Sequence, residues 1–291
     1  MSLLENGPTP REMTMRLLLF RSLWTNGFDL DSALGDCRSG EFDGVEGPVR
    51  EGFATRLREA NVPFIAEITT GGGYVPQTRD LARHLDDFAR KAEAALTTKP
   101  LFLTVLGGCD AWPLAQSIEF FGRALEIAGQ LDVAVSFETH RSRATFTPWI
   151  TAQVLAQLPA LRLTCDFSHW CCVCERLVLD EEPDLLSLFA TRAHHVHARV
   201  GYDQGPQVPH PAAPEFGAAL AAHERWWDAI WRAKAEEGCE FVTMTPEFGP
   251  DGYLHTLPFT RTPVASLDKI NGWMAARQRE RFAAFPLAAA A

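Results

Sequence analysis

Short apolar runs alternate along this chain with stretches whose apolar residues recur at helical spacing. The runs predict strands at Met15–Phe20, Gly44–Glu46, Phe64–Ile68, Leu101–Leu106, Val133–Glu138, Leu161–Asp166, His195–Val200 and Phe241–Glu247. Between them, Leu81, Leu85, Phe88 and Ala92 fall on one helix face, as do Leu114, Ile118, Phe121 and Leu125. Pro183–Ala193 and Phe216–Glu237 read as further helices, the second closed by Gly238. Trp226, Trp227 and Trp231 on the latter read as packing residues. Eight strands with helices between them, in 291 residues, predict an α/β fold: one (β/α)8 barrel domain over 1–291, with peripheral tails at 1–13 and 284–291. A doubly wound sheet would carry a Gly-rich turn after its first strand, but here the chain continues RSLWTNGFD. Gly71–Gly73 and Gly107–Gly108 follow the third and fourth strands and read as turns, not as phosphate cradles.

The polar residues at the strand ends carry the chemistry. Glu46 ends strand two, Glu67 strand three, Glu138 strand five, Asp166 strand six and Glu247 strand eight, while His197 lies on strand seven. The last four positions are about one β/α unit apart, with a longer gap before Glu247. In a barrel the C-terminal strand ends converge on one face, so residues distant in sequence meet around the axis. Glu138 and His140 share strand parity, as do His195, His197 and Arg199. An interior lined with such groups is costly unless something compensates, and a divalent cation is the natural compensator. Two Glu, one Asp and one His form an oxygen-rich set suited to one Mn²⁺, Mg²⁺ or Co²⁺ ion, with Zn²⁺ less preferred.

Composition narrows the function classes. With 27 Lys+Arg against 37 Asp+Glu the net charge is −10, which opposes a nucleic-acid partner and an anionic membrane surface. No apolar run reaches the roughly 20 residues that span a bilayer. The opening MSLLENGPTPREM lacks the apolar core of a signal peptide, so a cytoplasmic protein is expected. Seven cysteines, three of them at Cys171, Cys172 and Cys174, make no disulfide framework. Their C-C-x-C spacing lacks the knuckle of a structural zinc site, and they read as buried reduced thiols on a helix.

The motifs D-G-V-E, A-E-I-T-T-G-G, F-E-T-H-R, D-F-S-H-W, H-V-H-A-R and T-P-E-F-G-P occur in this order across nearly the whole chain. In them the sequence resembles the xylose isomerase-like TIM-barrel superfamily, the sugar phosphate isomerase/epimerase group. The resemblance implies one metal held by Glu138, Asp166, His197 and Glu247, and a substrate-binding His169 from D-x-x-H. It implies a keto sugar or sugar phosphate as the small carbohydrate partner. The reaction implied is proton abstraction next to a carbonyl through an enediolate, with Glu138 and Glu247 as the catalytic pair. Relatives in the group are often dimers or tetramers, so a homo-oligomer is one expectation. After strand seven the chain departs from the epimerase pattern, reading ARVGYDQGPQVPHP. Arg199, Gln204 and Gln207 are expected to shape a different substrate pocket there. His140 is read as a substrate contact or an extra ligand, Glu67 and Glu46 as rim contacts, and Trp24 and Trp170 as sugar wall or core. A metal-dependent lyase or dehydratase on a keto-inositol or 3-keto-glycoside shares the first step and is the alternative. Endonuclease IV, in the same superfamily, needs more histidines. None stands at Glu46, at Glu67 or within Gly107–Asp110, and no Asp lies two residues before His210. Such a nuclease and a non-catalytic sugar binder are the two less favoured readings.

Overall fold

Alternation of inward and outward side chains closes eight strands into one barrel. The computed structural model describes residues 15–250 and 252–286, so tail residues 1–13 and 287–291 lie outside the described residues. The strands are β1 (Arg16–Ser22), β2 (Gly44–Pro48), β3 (Phe64–Thr69), β4 (Leu103–Leu106), β5 (Val135–Glu138), β6 (Leu163–Cys165), β7 (Ala193–His197) and β8 (Phe241–Thr245). They pair in parallel in sequence order, and β8 closes on β1. The helices are α1 (Leu30–Arg38), α2 (Phe53–Ala60), α3 (Leu81–Ala95), α4 (Leu114–Gln130), α5 (Pro148–Gln157), α6 (Ser168–Cys174), α7 (Pro183–Arg192), α8 (Gly217–Glu236) and α9 (Leu267–Ala283).

Outward-facing strand residues such as Leu19, Val45, Ala66, Leu103, Val105 and Phe137 pack against the helices in the main core. Inward-facing Phe20, Ile65 and Phe102, with Leu18 against them, form a separate apolar plug in the lumen. Gly44 must be glycine for this plug, because a Cβ there would lie 2.3 Å from the Phe20 ring. Gly71, at φ +75°, begins the turn after β3, and a Cβ there would lie 2.3 Å from the His84 ring.

Several predicted strands overshoot at the C-terminal rim. Asp166, Arg199 and Glu247 lie just beyond the ends of β6, β7 and β8. There the backbone leaves the ladder for local partners: Asp166 N–H donates to Thr139 Oγ1 at 2.9 Å, and Arg199 N–H turns back to the His197 carbonyl at 3.0 Å. At the opposite end β7 has a register shift against β6 that skips His194. His194 and His195 both end with their rings against Phe102, at 4.5 and 5.5 Å.

Cys171 is buried on α6, Cys172 and Cys174 are half-buried beside it, and all three are free thiols. Trp226, Trp227 and Trp231 of α8 are buried inside the chain, so they serve packing. Trp170 is likewise core: it is fully buried, and its Nε1–H donates to the Thr145 carbonyl at 2.9 Å. No helix among the described residues is long and apolar enough to cross a membrane.

Candidate metal and active site

Above the apolar plug the inward positions turn polar. Thr104, Ser136 and Thr164 form a first tier, Thr164 Oγ1 lying 2.7 Å from both of the other hydroxyls. Inward positions near the C-terminal strand ends bring Glu67, Glu138, Asp166, His197 and Thr245 together, with Arg199 and Glu247 above and Glu46 beneath.

His197 is the centre of this arrangement. Its Nε2–H donates to Glu46 Oε1 at 3.0 Å. That bond places the neutral ring's lone pair on Nδ1, which lies 3.1 Å from Glu247 Oε2 and 3.6 Å from Glu138 Oε1. Nδ1 is buried and has no hydrogen-bond partner among the described residues. Donor atoms of Glu138, Asp166, His197 and Glu247 all lie within 4.8 Å of one another. Three carboxylates around an orphaned imidazole nitrogen are a donor set for a hard or borderline divalent cation. Without that cation, a proton takes its place. Burial alone would lower the His197 value, but Glu247, Glu46 and Glu138 hold it well above the ordinary histidine range.

Glu46 was expected at the rim, and the structure places it beneath the site, buried. It accepts from His197, from His195 Nε2 at 3.2 Å and from Thr245 Oγ1. His195 in turn lies 2.7 Å from Thr243 Oγ1, so it is a satisfied interior histidine. Burial would raise the Glu46 carboxyl, but the His197 and His195 rings outweigh it and lower the value. Glu46 therefore stays ionised and orients His197, the arrangement by which an outer carboxylate fixes a ligand imidazole.

Arg199 bonds Asp166, lies 2.7 Å from His169 Nε2 and donates through Nε to Ser168 Oγ at 3.2 Å. Asp166 Oδ1 also accepts from Ser168 N at 3.0 Å, at the start of α6. His169 is fully buried behind Arg199 and does not reach the cavity lining. His140 does. Its Nδ1 accepts from Ser142 N–H at 3.3 Å, which puts the ring proton on Nε2, 2.9 Å from the Tyr74 hydroxyl. Burial, with Arg143 and Arg199 nearby, keeps His140 well below the ordinary value and neutral.

Above these groups lies a cavity of about 400 Å³. Glu67, Glu138, Arg199 and Glu247 reach it from the strand ends, and Trp24, Phe28, Tyr74 and Tyr253 wall it from the loops. Burial at the barrel mouth, with Glu247, Glu138 and Glu46 close by, pushes Glu67 up to about 8. Burial likewise pushes Glu138 up to about 7, against the pull of His197. Gln207 lies outside the lining: its amide is spent on Gly249, donating to O at 3.2 Å and accepting from N–H at 2.8 Å. Gln204 is exposed on the turn closed by the Tyr202–Gly205 bridge. The sequence reading missed Phe28, Tyr74 and Tyr253, because single aromatics in loops have no period to mark them. It also missed Arg143, a buried guanidinium donating to the carbonyls of Thr70, Gly73, Tyr74 and Gly108 and so pinning the loop that carries Tyr74.

No protein-family model matches this chain, and no curated protein does. Solved structures match its fold. Endonuclease IV from Thermus thermophilus aligns over 92% of this chain and 99% of its own, at 12% identity and TM-score 0.57. A sugar phosphate isomerase/epimerase from Parabacteroides distasonis aligns over 97% and 99%, at 11% identity and TM-score 0.57. A xylose isomerase-like TIM-barrel protein from Mycobacterium smegmatis, in complex with magnesium, aligns over 91% and 97%, at 12% identity and TM-score 0.56. The chain thus has the xylose isomerase-like TIM-barrel fold. At such identities the likeness extends to the fold alone.

Proposed function

We propose that this protein is a divalent-metal-dependent isomerase or epimerase of a small keto sugar, working by proton removal next to a carbonyl. One observation carries the reading: two carboxylates from different strand ends, Glu138 and Glu247, face one cavity and flank one orphaned His197 nitrogen. Glu138, Asp166, His197 and Glu247 would hold a single Mn²⁺, Mg²⁺ or Co²⁺ ion, with Zn²⁺ also accommodated. When bound, the ion supplies positive charge beside the sugar's carbonyl and adjacent hydroxyl, where negative charge develops on proton loss.

The chain's own residues supply the rest. Glu247 removes the proton from the carbon, and Glu138, facing the same cavity from another strand end, returns it from another side. Arg199 carries a positive charge at the cavity floor that steadies the negative one, and His169 holds the Arg199 guanidinium in place at 2.7 Å. Glu67 faces the cavity, where its carboxyl hydrogen-bonds a sugar hydroxyl. Charge and donor set support a carbohydrate partner over nucleic acid: the net charge is −10, and no histidine of β2, β3 or β4 adds to the ligands.

Elimination is the second reading, and the Tyr74–His140 pair favours it. His140 Nε2–H donates to the Tyr74 oxygen, which leaves the phenol's own proton for an oxygen departing from the next carbon.

Two measurements test the proposal. Metal content of the purified protein after Mn²⁺ addition and desalting should be near one equivalent per chain. Incubating that protein in D₂O with a panel of keto sugars should put deuterium at the carbon next to the carbonyl, seen by NMR. A rearranged sugar marks an isomerase, and a released water or alcohol marks a lyase. A chain holding no metal and exchanging no proton would sink both readings and leave a sugar binder.

A further inference from the structure

We infer that the cavity takes an uncharged keto sugar carrying an apolar, ring-sized substituent, and not a sugar phosphate; this rests on the carbohydrate reading above. Its volume of about 400 Å³ lies in the range, roughly 300–1,000 Å³, of sites that enclose ligands larger than one monosaccharide. The polar groups are confined to the strand-end floor. The wall is a box of rings: Trp24 and Tyr74 lie 6.5 Å apart at 24°, and Tyr253 meets them edge-on at 5.4 and 6.4 Å. Tyr74 is 41% exposed, so this apolar face stands open on the cavity side. An aromatic box open on one side binds a flat or apolar ring, because stacking and water release act together there.

The charges argue against phosphate. Among the described residues, Arg199 is the one cation of the lining, beside the carboxyl groups of Glu67, Glu138 and Glu247. Arg199 is already committed to Asp166, with its face 4.7 Å from Tyr253 and 5.9 Å from Trp24. The other arginines nearby brace the wall from outside the lining: Arg141 lies over Tyr253 at 5.1 Å and Arg50 over Phe28 at 4.0 Å. Away from the metal, a phosphate inside would lose its water and meet no side-chain cation that is not already paired.

The test is calorimetric binding of paired methyl and phenyl β-glycosides of glucose, galactose and xylose, together with the 6-phosphates of glucose and galactose, to the Mn²⁺-loaded full chain. For at least one sugar the phenyl glycoside should bind about tenfold or more tighter than its methyl partner. Neither 6-phosphate should bind tighter than the corresponding methyl glycoside. Trp24→Ala should bring phenyl and methyl affinities within about threefold of each other. Tyr74→Ala, at a half-exposed position, makes the same check if Trp24→Ala does not fold. A tighter 6-phosphate, equal methyl and phenyl affinities, or no binding by any glycoside overturns the inference. Binding needs no turnover, so the two proposals fail separately. A phenyl preference without proton exchange in any keto sugar leaves this inference standing and removes the isomerase reading; exchange without the preference does the reverse.

Discussion

The two halves of the barrel interior are built by one rule and do opposite things. Both take every second residue of each strand. Toward the N-terminal end those residues are Leu18, Phe20, Ile65 and Phe102, which need no partners and seal the lumen. Toward the C-terminal end they are Glu46, Glu67, Glu138, His197 and Thr245, joined past the strand ends by Asp166, Arg199 and Glu247. The lower half lowers the free energy of the fold by burial. The upper half concentrates like charge that raises it, and each group needs a named partner to remain there. Function is therefore to be sought in the half that the hydrophobic effect would not have chosen.

Four substitutions test that division, from the strongest effect to the weakest. Glu247→Gln removes the proposed base without changing side-chain size. It should cut deuterium exchange into a reactive keto sugar by about 10²–10⁴ with little change in melting temperature. Undiminished exchange would remove Glu247 from the chemistry. Phe20→Ala, in the lower half, should cost about 3–5 kcal/mol in urea unfolding. It should leave metal stoichiometry of the folded fraction unchanged; loss of metal there would mean that the halves are not separable.

Glu46→Gln removes the acceptor that sets the His197 tautomer. Mn²⁺ affinity by calorimetry should fall about 10–100-fold, with the ligands themselves intact. An unchanged affinity would reduce Glu46 to a buried structural acid. Glu67→Gln should have the smallest effect, because Glu67 is only partly buried at the cavity mouth and is not among the metal-binding group. Its folded value is raised to about 8 from roughly 4.3 when unfolded, so its contribution to stability is full below the unfolded value. That contribution declines as pH rises and is gone above about 8. Melting temperatures of metal-free protein from about pH 5 to pH 9 should therefore fall for the parent and stay flatter for the variant. Parallel curves would mean that Glu67 titrates normally.

Much of this molecule was legible in its residues. The alternation of apolar runs and helical spacing gave all eight strands their places, because period 2 and period 3.6 are local properties of the backbone. Strand parity put Glu138 with His140, and His195 with His197 and Arg199, and the structure turns all five inward. The strand ends were less legible: the ladder stops where Thr139 captures Asp166 N–H, a contact between residues far apart in sequence. Glu46 read as a rim residue because its strand-end position resembles the others. It lies below them because it meets His195 and His197 from the far side of the barrel.

The order of residues was thus enough to specify the barrel, the inward faces and the set of acids and histidines that meet at one mouth. Periodicity and chain order fix these once the strands close. Three-dimensional packing was needed to settle which nitrogen of His197 is left without a partner, that Gln207 is spent on Gly249, and that Trp24, Tyr74 and Tyr253 share one wall. Those outcomes depend on distances of a few ångströms between residues with no periodic relation, and a linear pattern carries no such distances.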